Sequence, residues 1–107
     1  MLKHVVLGTL KTVEETVFRA DSNSPVRVKS FWIANASSSS DDLYLYQVPS
    51  GGSAATSNAL FYATTIRANA STVVDPAGIV LEPGESLVAN SANGGRLVLH
   101  VYMEVAS

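Results

Sequence analysis

Apolar and polar positions alternate with a period of two over most of this chain. The run from Arg96 to Val105 is the clearest case: Leu97, Leu99, Val101, Met103 and Val105 fall on one face, and Val98, His100, Tyr102 and Glu104 on the other. That spacing predicts a β-strand with one buried and one mixed face. Leu43 and Leu45 alternate with Tyr44, Tyr46 and Val48, while Leu60, Tyr62 and Ile66 alternate with Phe61, Ala63 and Thr65. These segments are apolar on both sides, so their second side is expected to meet another sheet or another subunit. Between Val26 and Ile33 the phase breaks: Val26 and Val28 keep one register, Phe31 and Ile33 the other. One extra residue near Lys29-Ser30, a β-bulge, reconciles the two. From Leu7 to Phe18 the spacing of Leu7, Leu10, Val13 and Val17 also suits a helix. The β-branched Thr9, Thr12, Val13, Thr16 and Val17, together with Gly8, favour a strand instead.

Turn signals punctuate the chain at short intervals: Asp21 to Pro25, Ser37 to Ser40, Pro49 to Gly52, Ala68-Asn69, Pro76-Ala77-Gly78, Pro83-Gly84 and Asn93-Gly94-Gly95. Pro83 presets the φ of a turn's second position and Gly84 supplies the positive φ of its third, which is type II chemistry. Short strands separated this regularly predict an all-β chain: a single antiparallel β-sandwich over residues 1–107, jelly-roll-like, with about eight strands and the C-terminal strand central.

Composition narrows the function. The length of 107 residues suits one domain, and 47% hydrophobic residues supply an ample core. Charged residues are only 15%, which fits either a surface hidden against copies of the same chain or a plain Ser/Ala/Thr-rich surface. A net charge of −2 with scattered basic residues argues against a nucleic-acid partner. With no cysteine there is no disulfide and no thiolate chemistry. Near the N-terminus the only apolar run is Val5 to Leu7, too short for a signal peptide. No apolar stretch has the length of a membrane helix. The expected product is soluble, made in the cytoplasm, with no membrane partner.

Candidate chemistry is sparse. His4 and His100 are the only histidines, and zinc sites need three or four ligands; the two are able to pair across adjacent terminal strands, but two are too few. No metal and no cofactor is expected. Glu14-Glu15 and Asp41-Asp42 are adjacent along strands, so their carboxylates point to opposite faces and form no catalytic dyad. Asp41-Asp42 is assigned to solubility. Ser37 to Ser40 carries no partner base and no Gly-x-Ser-x-Gly elbow, and is expected to be a flexible loop. Gly51-Gly52 lacks the Lys-Ser/Thr of a phosphate loop. No catalytic residue is assigned, and the chain is expected not to be an enzyme. The aromatic residues carry more weight. Trp32, Tyr44, Tyr46 and Tyr102 are the candidate residues of a subunit or partner interface, because Tyr and Trp bury large areas and keep a polar handle; the alternatives are that these rings cover the edges of the core or form a sugar-stacking platform.

Two phrases carry a family resemblance. Val28 to Ser53 reads VKSFWIANASSSSDDLYLYQVPSGGS, and Gly78 to Ala89 reads GIVLEPGESLVA. The order strand, "ANxS", strand, "VPSGGSA", then "LxPGxSL" before a last strand resembles small structural proteins of tailed bacteriophages. The likeness runs from about Val26 to Val105 and consists of turn chemistry rather than reactive groups. Trp32 and the Tyr44/Tyr46 pair are bulkier than the pattern requires, and the Ser37 to Ser40 tract is longer. The resemblance implies a non-enzymatic virion protein: a capsid decoration or cement subunit, a head-fibre base, or a neck or tail part. It also implies a homo-oligomer, most often a trimer, with phage capsid or tail proteins as partners. The alternative is a carbohydrate- or receptor-binding module of a tail fibre or adhesin, which needs an exposed aromatic row flanked by Asp or Asn.

Overall fold

The structure is a computed structural model that describes residues 2–21, 23–74 and 79–105. The predicted turn at Pro76-Ala77-Gly78 and the residue Ser22 lie outside the described residues. Among the described residues nine strands form: β1 (Leu2–Gly8), β2 (Glu15–Arg19), β3 (Val26–Asn35), β4 (Asp41–Val48), β5 (Ala59–Ile66), β6 (Ala70–Val74), β7 (Val80–Leu81), β8 (Ser86–Ser91) and β9 (Leu97–Val105). One sheet has the order β1-β9-β3-β6, with β7 pairing on the same strand β3 through Val26 and Arg27. The other has the order β2-β8-β4-β5. Every pairing among them is antiparallel. With the two-residue β7 set aside, this is the wound order of an eight-stranded jelly roll, in which the chain passes repeatedly between two facing sheets. The C-terminal strand β9 lies between β1 and β3, as the sequence predicts.

The core follows from the alternation. Leu97, Leu99 and Val101 are fully buried and Met103 is 1% exposed, in one core cluster with Phe31 and Ile33 of the same sheet and with Leu43, Leu45 and Leu87 of the facing one. Phe31 and Phe61 meet edge to face at 5.8 Å and join the two layers. The predicted bulge in β3 is present: the register against β9 slips between Val28 and Ser30, which lets Val26, Val28, Phe31 and Ile33 all point inward. Leu7 to Phe18 is not helical; β1 ends at Gly8, β2 begins at Glu15, and Leu10 plugs the core between them.

One phase prediction fails. In β5 the inward residues are Phe61 and Ile66, while Tyr62 faces out. Ala63 adopts a positive φ of 52°, and the three steps from Phe61 to Thr64 oppose the two from Leu45 to Leu43. That extra residue inverts the alternation midway along the strand.

The two phrases behind the family resemblance meet in space. Gly84 sits at φ 87° in a turn closed by the Glu85 amide donating to the Glu82 carbonyl at 2.9 Å. A Cβ there would lie 2.7 Å from Ser50 Oγ, so the Pro49–Gly52 turn packs directly on the Pro83–Gly84 turn. Glycine is required twice over, for the left-handed backbone and for the close approach.

Candidate interaction face

The four predicted interface aromatics do not share a surface. Trp32 on β3 and Tyr102 on β9 lie on the outer face of the first sheet. Tyr44 and Tyr46, on β4, lie on the outer face of the second, where Tyr44 meets Tyr62 edge to face at 5.1 Å. The two pairs are therefore on opposite sides of the sandwich, and Tyr46 is buried within the chain itself. Alternation along a strand gives side-chain parity but not which sheet the strand joins, so the grouping was beyond the sequence.

Tyr46 has a chemical consequence. Burial pushes its phenol above its ordinary value, and Glu14, Tyr62 and Tyr44 push in the same direction. A raised folded-state value favours the neutral phenol. The stability this supplies is whole below the unfolded value near pH 10 and is lost as pH rises through the folded one. Denaturant midpoints should therefore fall above about pH 10 in the parent and fall less in Tyr46→Phe. An equal alkaline fall in both proteins would exclude this role for Tyr46.

The first sheet carries the more unusual surface. Registers across its strands align Val6, His100, Trp32 and Val73 in one continuous row. A neighbouring row holds His4, Tyr102 and Ser30, and the row at one end holds Leu2, Glu104, Arg27 and Val80. Seven large hydrophobic residues among the described residues are exposed, and Leu2, Val6, Trp32, Val73 and Val80 all lie on this face. Trp32 is 48% and Val73 55% accessible. The rings are ordered against each other. His4 stacks on Tyr102 with centroids 4.3 Å apart and planes 1° from parallel, and Tyr102 meets Trp32 edge to face at 6.2 Å. His4 Nε2 lies 2.9 Å from His100 Nδ1, so the two histidines, which the sequence allows to pair across adjacent strands, are directly hydrogen-bonded.

This exposure is not a sign of incomplete burial. The chain's accessible area is 5665 Å², against about 5,700 Å² for a folded monomer of its mass. The fold closes its own core and leaves this face outside.

Compared with family models, with curated proteins and with solved structures, the chain matches none. Among the described residues no three His, Cys, Asp or Glu gather as metal ligands, and no helix is long and apolar enough to cross a membrane.

Two polar residues differ from expectation. Asp41 is not a solubilising side chain: it is 2% exposed, and its Oδ1 accepts from the Asp42 amide at 2.8 Å, the Asn93 amide at 3.0 Å and Asn93 Nδ2 at 2.9 Å. It ties the start of β4 to the β8–β9 loop. Nor is the serine tract loose. Buried Asn35 accepts at Oδ1 from the Ser37 amide and hydroxyl, and donates from Nδ2 to the Ser39 carbonyl at 2.9 Å. Arg96 donates to the Ser40 carbonyl at 2.9 Å. Asn93 and Arg96 lie 52 and 56 residues from their partners, so these ties do not show in the local pattern, whereas Asn35 acts on serines two and four positions on.

Proposed function

We propose that the chain is a non-enzymatic structural subunit of a tailed-phage virion, a capsid decoration or head-fibre-base protein that works as a homo-oligomer. The observation that supports this is the gathering of most large exposed hydrophobics on the outer face of one sheet. Four strands at about 4.8 Å spacing and nine residues at about 3.4 Å rise give that face a footprint of roughly 600 Å². A stable interface buries about 1,000 Å² or more in total, roughly 500 Å² from each partner. The face is thus large enough for one such contact, and closed symmetry between copies is the usual way to cover it. Arg27, Ser30 and Glu104 take part of that footprint, and the largest apolar patch on a monomer, about 300–600 Å², is often a functional one.

A receptor- or carbohydrate-binding module is the second reading. It rests on an open cavity of about 310 Å³ beside Tyr102, lined by Leu2, Lys3, His4, Lys29 and Met103. The stacking of His4 on Tyr102 already covers one face of that ring, which favours the structural reading.

Light scattering at micromolar concentration tests the proposal. The parent is expected at a multiple of its 11.3 kDa chain mass, with three copies the leading number. Val73→Lys should shift it to the single-chain mass, whereas Tyr44→Lys, on the opposite sheet, should not. A monomeric parent removes the oligomer. Co-sedimentation with capsids lacking the protein tests the location, and absence of binding moves the assignment to the tail or to the receptor module.

A further inference from the structure

The second sheet carries a surface of a different kind. We propose that its outer face binds a neutral hexose, with the sugar ring lying against Tyr62 and Tyr44 and its hydroxyls held by Asp42 and Asn90.

The first sign is a strained backbone. Ala63 holds a φ of 52° at the bulge of β5, a conformation that residues other than glycine seldom adopt. Bulges re-aim side chains beside functional sites, and strain of this kind lasts only where the surroundings impose it. Here the bulge lets Ile66 enter the core while Tyr62 stays outside, 57% exposed. Tyr62 meets Tyr44 with ring centroids 5.1 Å apart and planes at 87°. Two rings at nearly a right angle make a corner with apolar walls and a phenol hydroxyl on each ring.

Polar groups surround that corner. Asp42 and Tyr44 share the outward phase of β4, alternating with buried Asp41, Leu43 and Leu45. Asn90 stands directly opposite Tyr44 in the β4–β8 register, and Thr65 directly opposite Asp42 in the β4–β5 register. The Thr65 hydroxyl donates to Asp42 Oδ1 at 2.9 Å, and among the described residues Asp42 Oδ2 takes no hydrogen bond. Asn90 Nδ2 donates to the Thr12 carbonyl at 3.3 Å, while its Oδ1 is covered and has no donor. An acceptor in that state is a cost to the free protein. Asn90 as a residue is only partly covered, so turning its amide outward lets a hydroxyl relieve that cost. A hexose fits this set. One face of its ring is C–H groups that pack on an aromatic ring, and its adjacent hydroxyls donate to carboxylate and amide oxygens. Asp42 is acidic, and Glu14 acts electrostatically on Tyr46 of the same strand, so an acidic sugar is disfavoured. The apolar row proposed to join copies lies on the other sheet, so the sugar site stays open in the oligomer and does not depend on it. One hexose, with about a dozen heavy atoms, binds such a face at millimolar strength. Several copies in one oligomer raise the avidity.

Amide NMR spectra of the isotope-labelled full chain test the site. Methyl β-galactoside, methyl β-glucoside and methyl α-mannoside are titrated in turn, with glucuronate as the acidic comparison. At least one neutral glycoside should give saturable shifts at millimolar concentration, centred on Asp42, Tyr44, Tyr62, Thr65 and Asn90, with the Trp32 indole unmoved. Glucuronate should bind more weakly than that glycoside. Tyr62→Ala and Asp42→Asn should each weaken binding at least about tenfold, while Tyr62→Phe, which keeps the ring, should weaken it less than about threefold. Tyr62 is exposed and Asp42 partly so, and the same spectra show that each variant is folded. The proposal is overturned if none of the three neutral glycosides gives a saturable shift, or if the shifts centre on Lys29 and Tyr102. It is equally overturned if glucuronate binds more tightly than all three, or if parent and Tyr62→Ala bind alike. A monomeric parent that binds the sugar keeps this site and removes only the oligomer.

Discussion

Leu99→Ala is expected to cost about 2–5 kcal/mol and to lower the melting temperature by on the order of 10 °C or more. Leu99 is fully buried in β9, opposite Leu7 on one side and Ile33 on the other. Removing its branched end leaves a void that strands held on both flanks cannot collapse to fill. The loss therefore includes a cavity term on top of the transfer of the missing methyl groups. Its neighbour Val98 points outward in the row with Gly8 and Ala34. Val98→Ala should change stability by no more than about 0.5–1 kcal/mol, as expected away from a packed core. Thermal melts of the two variants side by side decide the point. A Leu99→Ala protein that melts within a degree or two of the parent would reject the assignment of faces in β9.

Asn35→Ala should be the most damaging polar substitution, at about 2–3 kcal/mol. Asn35 is 2% exposed at the end of β3, and its Nδ2 donates across the sandwich to the Ile66 carbonyl on β5 at 3.1 Å. The same side chain organises Ser37 and Ser39. Alanine leaves a buried carbonyl without its donor and frees the serine tract from β3. Each orphaned buried group costs about 1–3 kcal/mol, more than the net value of the bond it made. Ser38→Ala, in the same loop but exposed, should lie within about 0.5 kcal/mol of the parent. Urea titrations measure both changes. Equal midpoints for the two variants would show that Asn35 does not hold the two sheets together.

Much of the architecture is legible in the sequence wherever a signal is local. The phase change between Val28 and Phe31 can only be absorbed by an extra residue, and Lys29-Ser30 is where the register slips. The Pro83-Gly84 pair states its own turn type. In β9, five apolar residues in strict alternation leave one solution, although Val105 at the strand's end is only partly buried. The β5 inversion was hidden because an alanine carries it: Ala63 at φ 52° has no residue signature comparable to glycine's. Asp41 looks like any acidic residue beside a serine loop, because the donors that hold it come from Asn93, 52 positions away. The grouping of the aromatic residues was half legible. Trp32 and Tyr102 do stand together, but Val6 and Val73, which complete their row, carry no mark that separates them from core valines.

The position of β9 has a consequence for how the protein is made. The first sheet closes only when β9 slides between β1 and β3, and the pairing of Leu2 with Glu104 joins residues about a hundred positions apart. Among the described residues β1 has no other strand partner in the sheet, so it stays unpaired until residues 97–105 have been made and have left the ribosome. Until then β1 and one edge of β3 present unpaired backbone to their surroundings, at the moment when many copies emerge from one message. Pairings this distant in sequence form slowly, within roughly milliseconds to seconds. During that interval the nascent chain is most exposed to mispairing with its neighbours. A truncation that stops short of Leu97 should thus yield aggregates rather than a smaller folded unit.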